Sequence, residues 1–220
     1  MNIEAFVIKK QTTNEYDALV TLYSKEIGRV EAVAKSIMKP TSIQSMHVGA
    51  MNLITCDLVE GKSYPIITGA QSEKTFSKLK SNLSSLAIAN YICESVYKMT
   101  FTYQADDELW NFLKSTFSDL NTDKEQDHNA LLKFGSELLS VLGYYPNTEQ
   151  CAFCSKDEVD FAAFSPELVG MICGDCFLSG RKGILVKKGE HPVEIAIQSI
   201  FESLTGSAFH SLTFAKAVLQ

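Results

Sequence analysis

The sequence predicts an α+β protein: a small five-stranded barrel followed by an α-helical domain that carries an inserted four-cysteine module. Three observations lead there. The first 72 residues hold short runs rich in Val, Ile, Leu and Tyr, with partial alternation and no helical repeat long enough for a crossover. Apolar residues then step by three and four between residues 73 and 142, and again after residue 192. Between these stretches Cys151, Cys154, Cys173 and Cys176 form a C-x2-C-x18-C-x2-C array.

Ile3 to Lys10, Tyr16 to Ser24 and Gly28 to Lys35 read as strands, broken near Asn14 and at Gly28, where turn residues belong. Pro40, Thr41 and Ser42 open a longer connection. Val48 to Glu60 and Tyr64 to Gln71 then give two further strands around Gly61, Lys62 and Ser63. Five strands in so short a segment predict an antiparallel barrel. In the third strand Val30, Ala32 and Ala34 are expected to point in, and Arg29, Glu31, Val33 and Lys35 out. Phe76, Leu79, Leu83 and Leu86 predict one long helix from Lys74 to Lys98. Asp106 and Asp107 can cap a second, carrying Leu109, Trp110, Phe112, Leu113, Phe117 and Leu120. A third runs from Asp127 to Leu142 and ends at Gly143. Pro192 to Leu204, closed by Gly206, and Phe209 to Leu219 resume the helical pattern. The expected domains are therefore residues 1–72 and 73–220, the second interrupted by the cysteine module at 151–178.

Of the 220 residues 45% are apolar and 21% charged, which excludes disordered, collagen-like and coiled-coil readings. There is no apolar run of membrane-spanning length. The amino terminus lacks the basic-then-apolar order of a secretory signal. A soluble cytoplasmic protein with no membrane partner is expected. The net charge of −6 argues against a protein whose whole task is to coat nucleic acid. Its distribution says more: residues 1–72 are neutral, 73–150 and 151–180 each carry −4, and 181–220 carry +2. An anion-binding surface is expected near the two ends of the chain.

Each C-x2-C knuckle presents two sulfurs from one tight turn, and the spacer lets the pairs meet. Phe161, Phe164 and Ile172 supply a small core within the spacer, while Ser165-Pro166 and Gly170 turn it. The array predicts a structural Zn2+ on Cys151, Cys154, Cys173 and Cys176, since four thiolates leave no open coordination position. Cys56 and Cys93 stand alone in apolar surroundings and are expected to be buried thiols.

Enzyme signatures are missing. Gly61-Lys62-Ser63 resembles the end of a phosphate-binding loop, but the required earlier glycine is replaced by Cys56. There is no G-x-G-x-x-G, and no histidine begins an H-x-E motif. Asp106, Asp107 and Glu108 belong at a helix start as capping and dipole partners. No catalytic residue is assigned.

Lys9, Lys10, Arg29, Lys35, Lys39 and Lys62 fall at strand ends and loops of the barrel. Small barrels bind single strands over strands two and three and over the loops joining strands one to two and four to five. Tyr23, on the outward alternation of the second strand, is the expected stacking platform. Arg181, Lys182, Lys187 and Lys188 form the densest basic run and a rival anion site.

The chain resembles the bacterial recombination mediator RecO family over nearly its full length. Glu4 to Lys10 and Asn14 to Ser36, with the Gly28-Arg29 turn, are similar to that family's first three strands. Leu142-Gly143-Tyr144-Tyr145-Pro146 matches its motif ahead of the cysteines. The cysteine pairs with Phe164-Ser165-Pro166 and Gly170 between them match its zinc module. The resemblance implies an OB-fold domain, a helical domain and no enzymatic activity. It implies binding of single- and double-stranded DNA, annealing of complementary strands, and work with RecR to load RecA onto strands covered by single-strand-binding protein. The helix bearing Leu109, Trp110, Phe112, Leu113 and Phe117 has more large apolar side chains than one face can hide, which makes it a candidate groove for the tail of single-strand-binding protein. A zinc-module adaptor that binds proteins without touching DNA is the alternative.

Overall fold

The computed structural model describes residues 1–157, 161–186, 192–206 and 208–219, apart from the side chains of Pro192 and Val193. Contacts divide the chain into two units, Met1–Glu125 and Gln126–Gln220.

The first unit contains the barrel. Strands β1 (Asn2–Thr12), β2 (Ala18–Ser24), β3 (Gly28–Ala34), β4 (Leu53–Val59) and β5 (Ile66–Lys74) close in the order β1-β2-β3-β5-β4. A ring of five strands cannot alternate direction all the way round, so one neighbouring pair must run parallel. That pair is β3 with β5, where Val33 faces Ile66 and Ala34 faces Ile67. The remaining pairs are antiparallel, and the closed barrel is OB-fold-like. Ile3, Ala5, Val7, Val20, Leu22, Val30, Ala32 and Ala34 fill its interior, so the alternation expected in the third strand is correct. Cys56 is buried within the same core.

Helices cover the outer wall of β1. Phe6 points out of the barrel, and its ring centroid lies 5.2 Å from that of Trp110 and 5.0 Å from that of Phe117. Phe76 stacks on it at 6.2 Å and meets Phe117 edge-on at 5.7 Å. This cluster joins the three helices that follow to the barrel within the first unit, where they cover it. They are α1 (Ser77–Ser81), α2 (Leu83–Met99) and α3 (Asp107–Leu120). The single long helix expected from Lys74 is corrected. Strand β5 takes Lys74, and Asn82, with extended backbone, interrupts the helix so that its side chain accepts the Ser85 N–H at 3.0 Å. Asp106 caps α3 as expected, accepting the N–H groups of Glu108 and Leu109.

The candidate partner groove on α3 is overturned. Leu109, Trp110, Phe112, Leu113 and Phe117 are all buried, none more than 7% exposed. The helix hides more than one apolar stripe because it has the barrel wall on one side and α1 and α2 on another.

The second unit contains α4 (His128–Val141), capped by Asp127, and the hairpin β6 (Phe161–Ser165) with β7 (Gly170–Cys173). The short helix α5 (Gly174–Leu178), strand β8 (Ile184–Leu185) against β6, and helices α6 (Pro192–Thr205) and α7 (His210–Val218) complete it. Among the described residues no helix is long and apolar enough to cross a membrane.

Candidate metal centre and nucleic-acid face

The four sulfurs of Cys151, Cys154, Cys173 and Cys176 lie within 4.8 Å of one another. A tetrahedral centre with metal–sulfur bonds of about 2.3 Å requires sulfurs about 3.8 Å apart. Cys154 Sγ and Cys173 Sγ stand at 3.7 Å. The first knuckle is a turn in which the Ser155 N–H donates to the Cys151 carbonyl at 2.9 Å, with Ser155 in the left-handed region at φ 56°. The second is the junction of β7 and α5, where the hairpin delivers Cys173 and the first helical turn delivers Cys176.

The thiols cannot all ionise in one volume without a cation. Burial alone would raise Cys151, but hydrogen bonds from the backbone at Cys173, Cys154 and Phe153 bring it down to about 6. Cys176 is pushed up to about 12 by burial and by its hydrogen bonds with the other three. Four sulfurs converging at this spacing, with Cys151 lowered and Cys173 and Cys176 raised by their shared hydrogen bonds, are a donor set that a bound cation completes, so the cluster fits a metal ion. Cys56 and Cys93, both buried, are held at about 12 by burial and take no part.

The expected DNA-binding residues divide into three groups. The first lies on the strands of the first unit, where Lys9 and Arg29 are engaged. Lys9 and Lys10 stand within β1, which runs two residues beyond the expected strand end to Thr12, past an irregularity between Val7 and Lys9. Lys9 Nζ lies 4.0 Å from the centroid of the Tyr97 ring. Arg29 reaches the same ring and donates to the Tyr97 carbonyl. Tyr23 is fully buried, which overturns it as a stacking platform. The segment leading into α3 covers it: the Tyr103 N–H donates to the Arg29 carbonyl at 2.9 Å, and Gln104 O would stand 1.9 Å from any Cβ at Gly28. Burial first, and the charge of Asp106 next, raise its hydroxyl to about 12.

The second group gathers at one end of the barrel. The β1–β2 loop, the chain leaving β3 and the end of the β4–β5 loop meet there, Lys35 pairing with Asp17 and the Val33 N–H donating to the Pro65 carbonyl at 2.8 Å. Lys35 and Lys39 follow β3 and Lys62 lies on the β4–β5 loop, all exposed. Tyr16 and Tyr64, which sequence reasoning missed, are 41% and 43% exposed on two of these connections. The Met38 N–H donates to the Tyr16 carbonyl at 2.9 Å, and Lys39 Nζ sits 5.2 Å from the Tyr16 ring centroid. A groove of about 550 Å³ runs between Lys35, Lys39, Gln44 and Thr68. Glu15 and Asp17 share this end but are engaged, Glu15 by the Tyr16 hydroxyl at 2.7 Å and Asp17 by Lys35 at 3.1 Å. A lysine-rich end with exposed rings is able to pair with phosphates and stack on bases.

The third group lies in the second unit. Arg181 and Lys182 are exposed beside the metal module, while Lys187 and Lys188 fall outside the described residues.

Comparison with known proteins accounts for this combination of parts. The family model described as Recombination protein O N terminal matches residues 1–76, and that described as Recombination protein O C terminal matches residues 80–209. The DNA repair protein RecO of Dehalococcoides mccartyi is 31% identical over 174 residues, covering 79% of this chain and 68% of that protein. Its counterpart in Caldanaerobacter subterraneus subsp. tengcongensis is 28% identical over 176 residues, covering 80% and 71%. The one in Symbiobacterium thermophilum is 26% identical over 192 residues, covering 86% and 76%. With both family models matched in order along a barrel and a helical part, this chain belongs to the RecO family of DNA repair proteins.

Proposed function

We propose that the chain is a non-enzymatic recombination mediator of the bacterial cytoplasm, working at the nucleoid. It binds single- and double-stranded DNA, anneals complementary strands, and acts with RecR to load RecA on strands covered by single-strand-binding protein. The observation that carries the DNA-binding part is the groove lined by Lys35 and Lys39, with Lys39 against the exposed ring of Tyr16; exposed Lys62 and Tyr64 lie on the β4–β5 connection. Annealing needs two polyanions brought together with their charge neutralised, which a set of lysines supplies without proton transfer or a nucleophile. The metal in this reading is one structural Zn2+. Four thiolates suit it and leave no position for substrate, so it holds the module's fold and takes no part in chemistry.

The test is a titration of labelled single-stranded DNA at several salt concentrations. Three lysine–phosphate contacts predict a log–log slope of about −2. Absence of salt-sensitive binding, with a folded metal-loaded protein, supports the adaptor reading in its place.

A further inference from the structure

We propose that the metal module builds a second site for single-stranded DNA, a groove beside its knuckles where a base stacks on the Phe153–Arg181 pair and a phosphate pairs with Lys182. This rests on the reading of the chain as a DNA-binding protein and adds to it a place and a purpose for the metal. The groove, about 480 Å³, has Phe153, Glu167, Arg181, Lys182 and Ser203 along its walls. The Arg181 guanidinium carbon lies 4.7 Å from the centroid of the Phe153 ring, which is itself 36% exposed.

Both members of this pair are held by the metal-binding segments. Phe153 is inside the first knuckle, between Cys151 and Cys154. The Arg181 N–H donates to the carbonyl of Cys176 at 3.2 Å. Two glycines fix the cations from the other side. Gly180, at φ +94°, turns the chain out of α5 into Arg181. Gly183 has no room for a Cβ, which would meet Phe164 O at 2.8 Å and Ile172 Cδ1 at 2.6 Å. Arg181 and Lys182 are thus pinned between a knuckle carbonyl and the hairpin. Closing the four sulfurs on one ion fixes where ring and guanidinium meet.

The chemistry of the groove favours a single strand. Residues 151–180 carry one basic and five acidic side chains, yet the two cations that follow at once, Arg181 and Lys182, both face the groove. Of the described acids only Glu167 lines it, and Asp175 is paired with Lys156 at 3.7 Å. A planar cation on an aromatic ring is a surface for the face of a base, and guanidinium planes stack on bases in single strands. A duplex offers phosphates but hides its base faces; a single strand offers a phosphate and an open base face at every nucleotide.

Fluorescence anisotropy of the full chain with a short labelled oligothymidylate tests this, with metal content and circular dichroism matched to the parent. Phe153→Ala should weaken binding about tenfold through the lost stack. Arg181→Lys, which keeps the charge, should also weaken it, while Phe153→Tyr should bind as the parent does. If Phe153→Ala loses metal, the Tyr and Lys variants carry the comparison. Parent-like binding by both Phe153→Ala and Arg181→Lys overturns the site while leaving DNA binding by the barrel intact. Failure of the parent to bind overturns the functional reading with it. Loss in these variants of an acidic peptide's binding, with DNA binding unchanged, reassigns the groove to a protein partner and overturns the proposal.

Discussion

Arg29 of β3 donates to the carbonyl oxygen of Tyr97, 68 residues further along the chain, and its guanidinium carbon lies 5.5 Å from the centroid of that ring. Tyr97 stands in the last turn of α2, where unpaired carbonyls concentrate partial negative charge. The guanidinium therefore ties barrel to helix while complementing the helix end. Arg29→Ala should lower stability by about 1–3 kcal/mol, since it removes a charge-assisted hydrogen bond and a cation–ring contact together. Urea unfolding checks this, with the salt dependence of DNA binding unchanged. A flatter salt slope at unaltered stability would return Arg29 to the DNA surface.

The lysines at the open end of the barrel should behave in the opposite way. Replacing Lys35, Lys39 and Lys62 together by Ala should flatten the salt slope by about two units while leaving the barrel folded. Tyr16→Ala or Tyr64→Ala should each cost about 1–3 kcal/mol of binding with the slope unchanged, as a lost stack does. Tyr23→Ala should instead cost about 3–5 kcal/mol of stability, because it empties a fully buried site. A Tyr23→Phe variant that folds normally but loses DNA affinity would contradict this assignment.

These contrasts mark where the sequence was readable. The cysteine array was legible because ligand spacing is local, and the inward faces of β2 and β3 because alternation is local. The cover on the outer faces was not, since it is made by residues from α2, α3 and the chain between them. One sign of it was present. Ala5, Phe6, Val7 and Ile8 are consecutive apolar residues in β1, and all four are buried. A strand apolar on both faces is buried on both. The same clue extends to Tyr23, whose neighbours Thr21 and Leu22 are also buried. For Arg29 no signal existed, because its partner is distant in sequence and the contact is to a backbone oxygen. Asn82, by contrast, stood three residues before Ser85 in a recognisable capping arrangement that the apolar stepping concealed.

Asp17 gives the barrel end a pH dependence. Its carboxylate accepts the Ser36 N–H at 2.7 Å, the Asn14 amide at 3.1 Å and Lys35 Nζ at 3.1 Å. These, the backbone N–H foremost, lower its pKa from 3.8 to about 2. A carboxyl depressed on folding contributes stability that is complete above its unfolded value and is lost as pH falls through the folded one. The parent should therefore lose more stability than Asp17→Asn as pH drops from about 4 towards 2. Because the Ser36 N–H leads, Lys35→Ala should raise the Asp17 titration only in part, as carboxyl carbon shifts would report. Full return to the ordinary value in that variant would place the lysine first.

Metal removal should separate the six cysteines into two classes. Cys151, Cys154, Cys173 and Cys176 converge on one point, and around them β6, β7 and the two-residue β8 form a sheet too small to persist on its own. Cys56 and Cys93 are buried in the first unit, their thiols at about 12 and unreactive as long as that unit is folded. Native metal-loaded protein should react slowly with a thiol reagent. A chelator should release one metal per chain and expose four thiols together, with the remaining two appearing only in denaturant. Cys173→Ser should abolish tight metal binding, since three sulfurs cannot close the tetrahedron and the fourth is the one the hairpin delivers. The urea transition of the Met1–Glu125 unit should stay in place, because its core contains none of the four ligands. Two reactive thiols on chelation, or all six at once, would break the link between the metal and the module's fold.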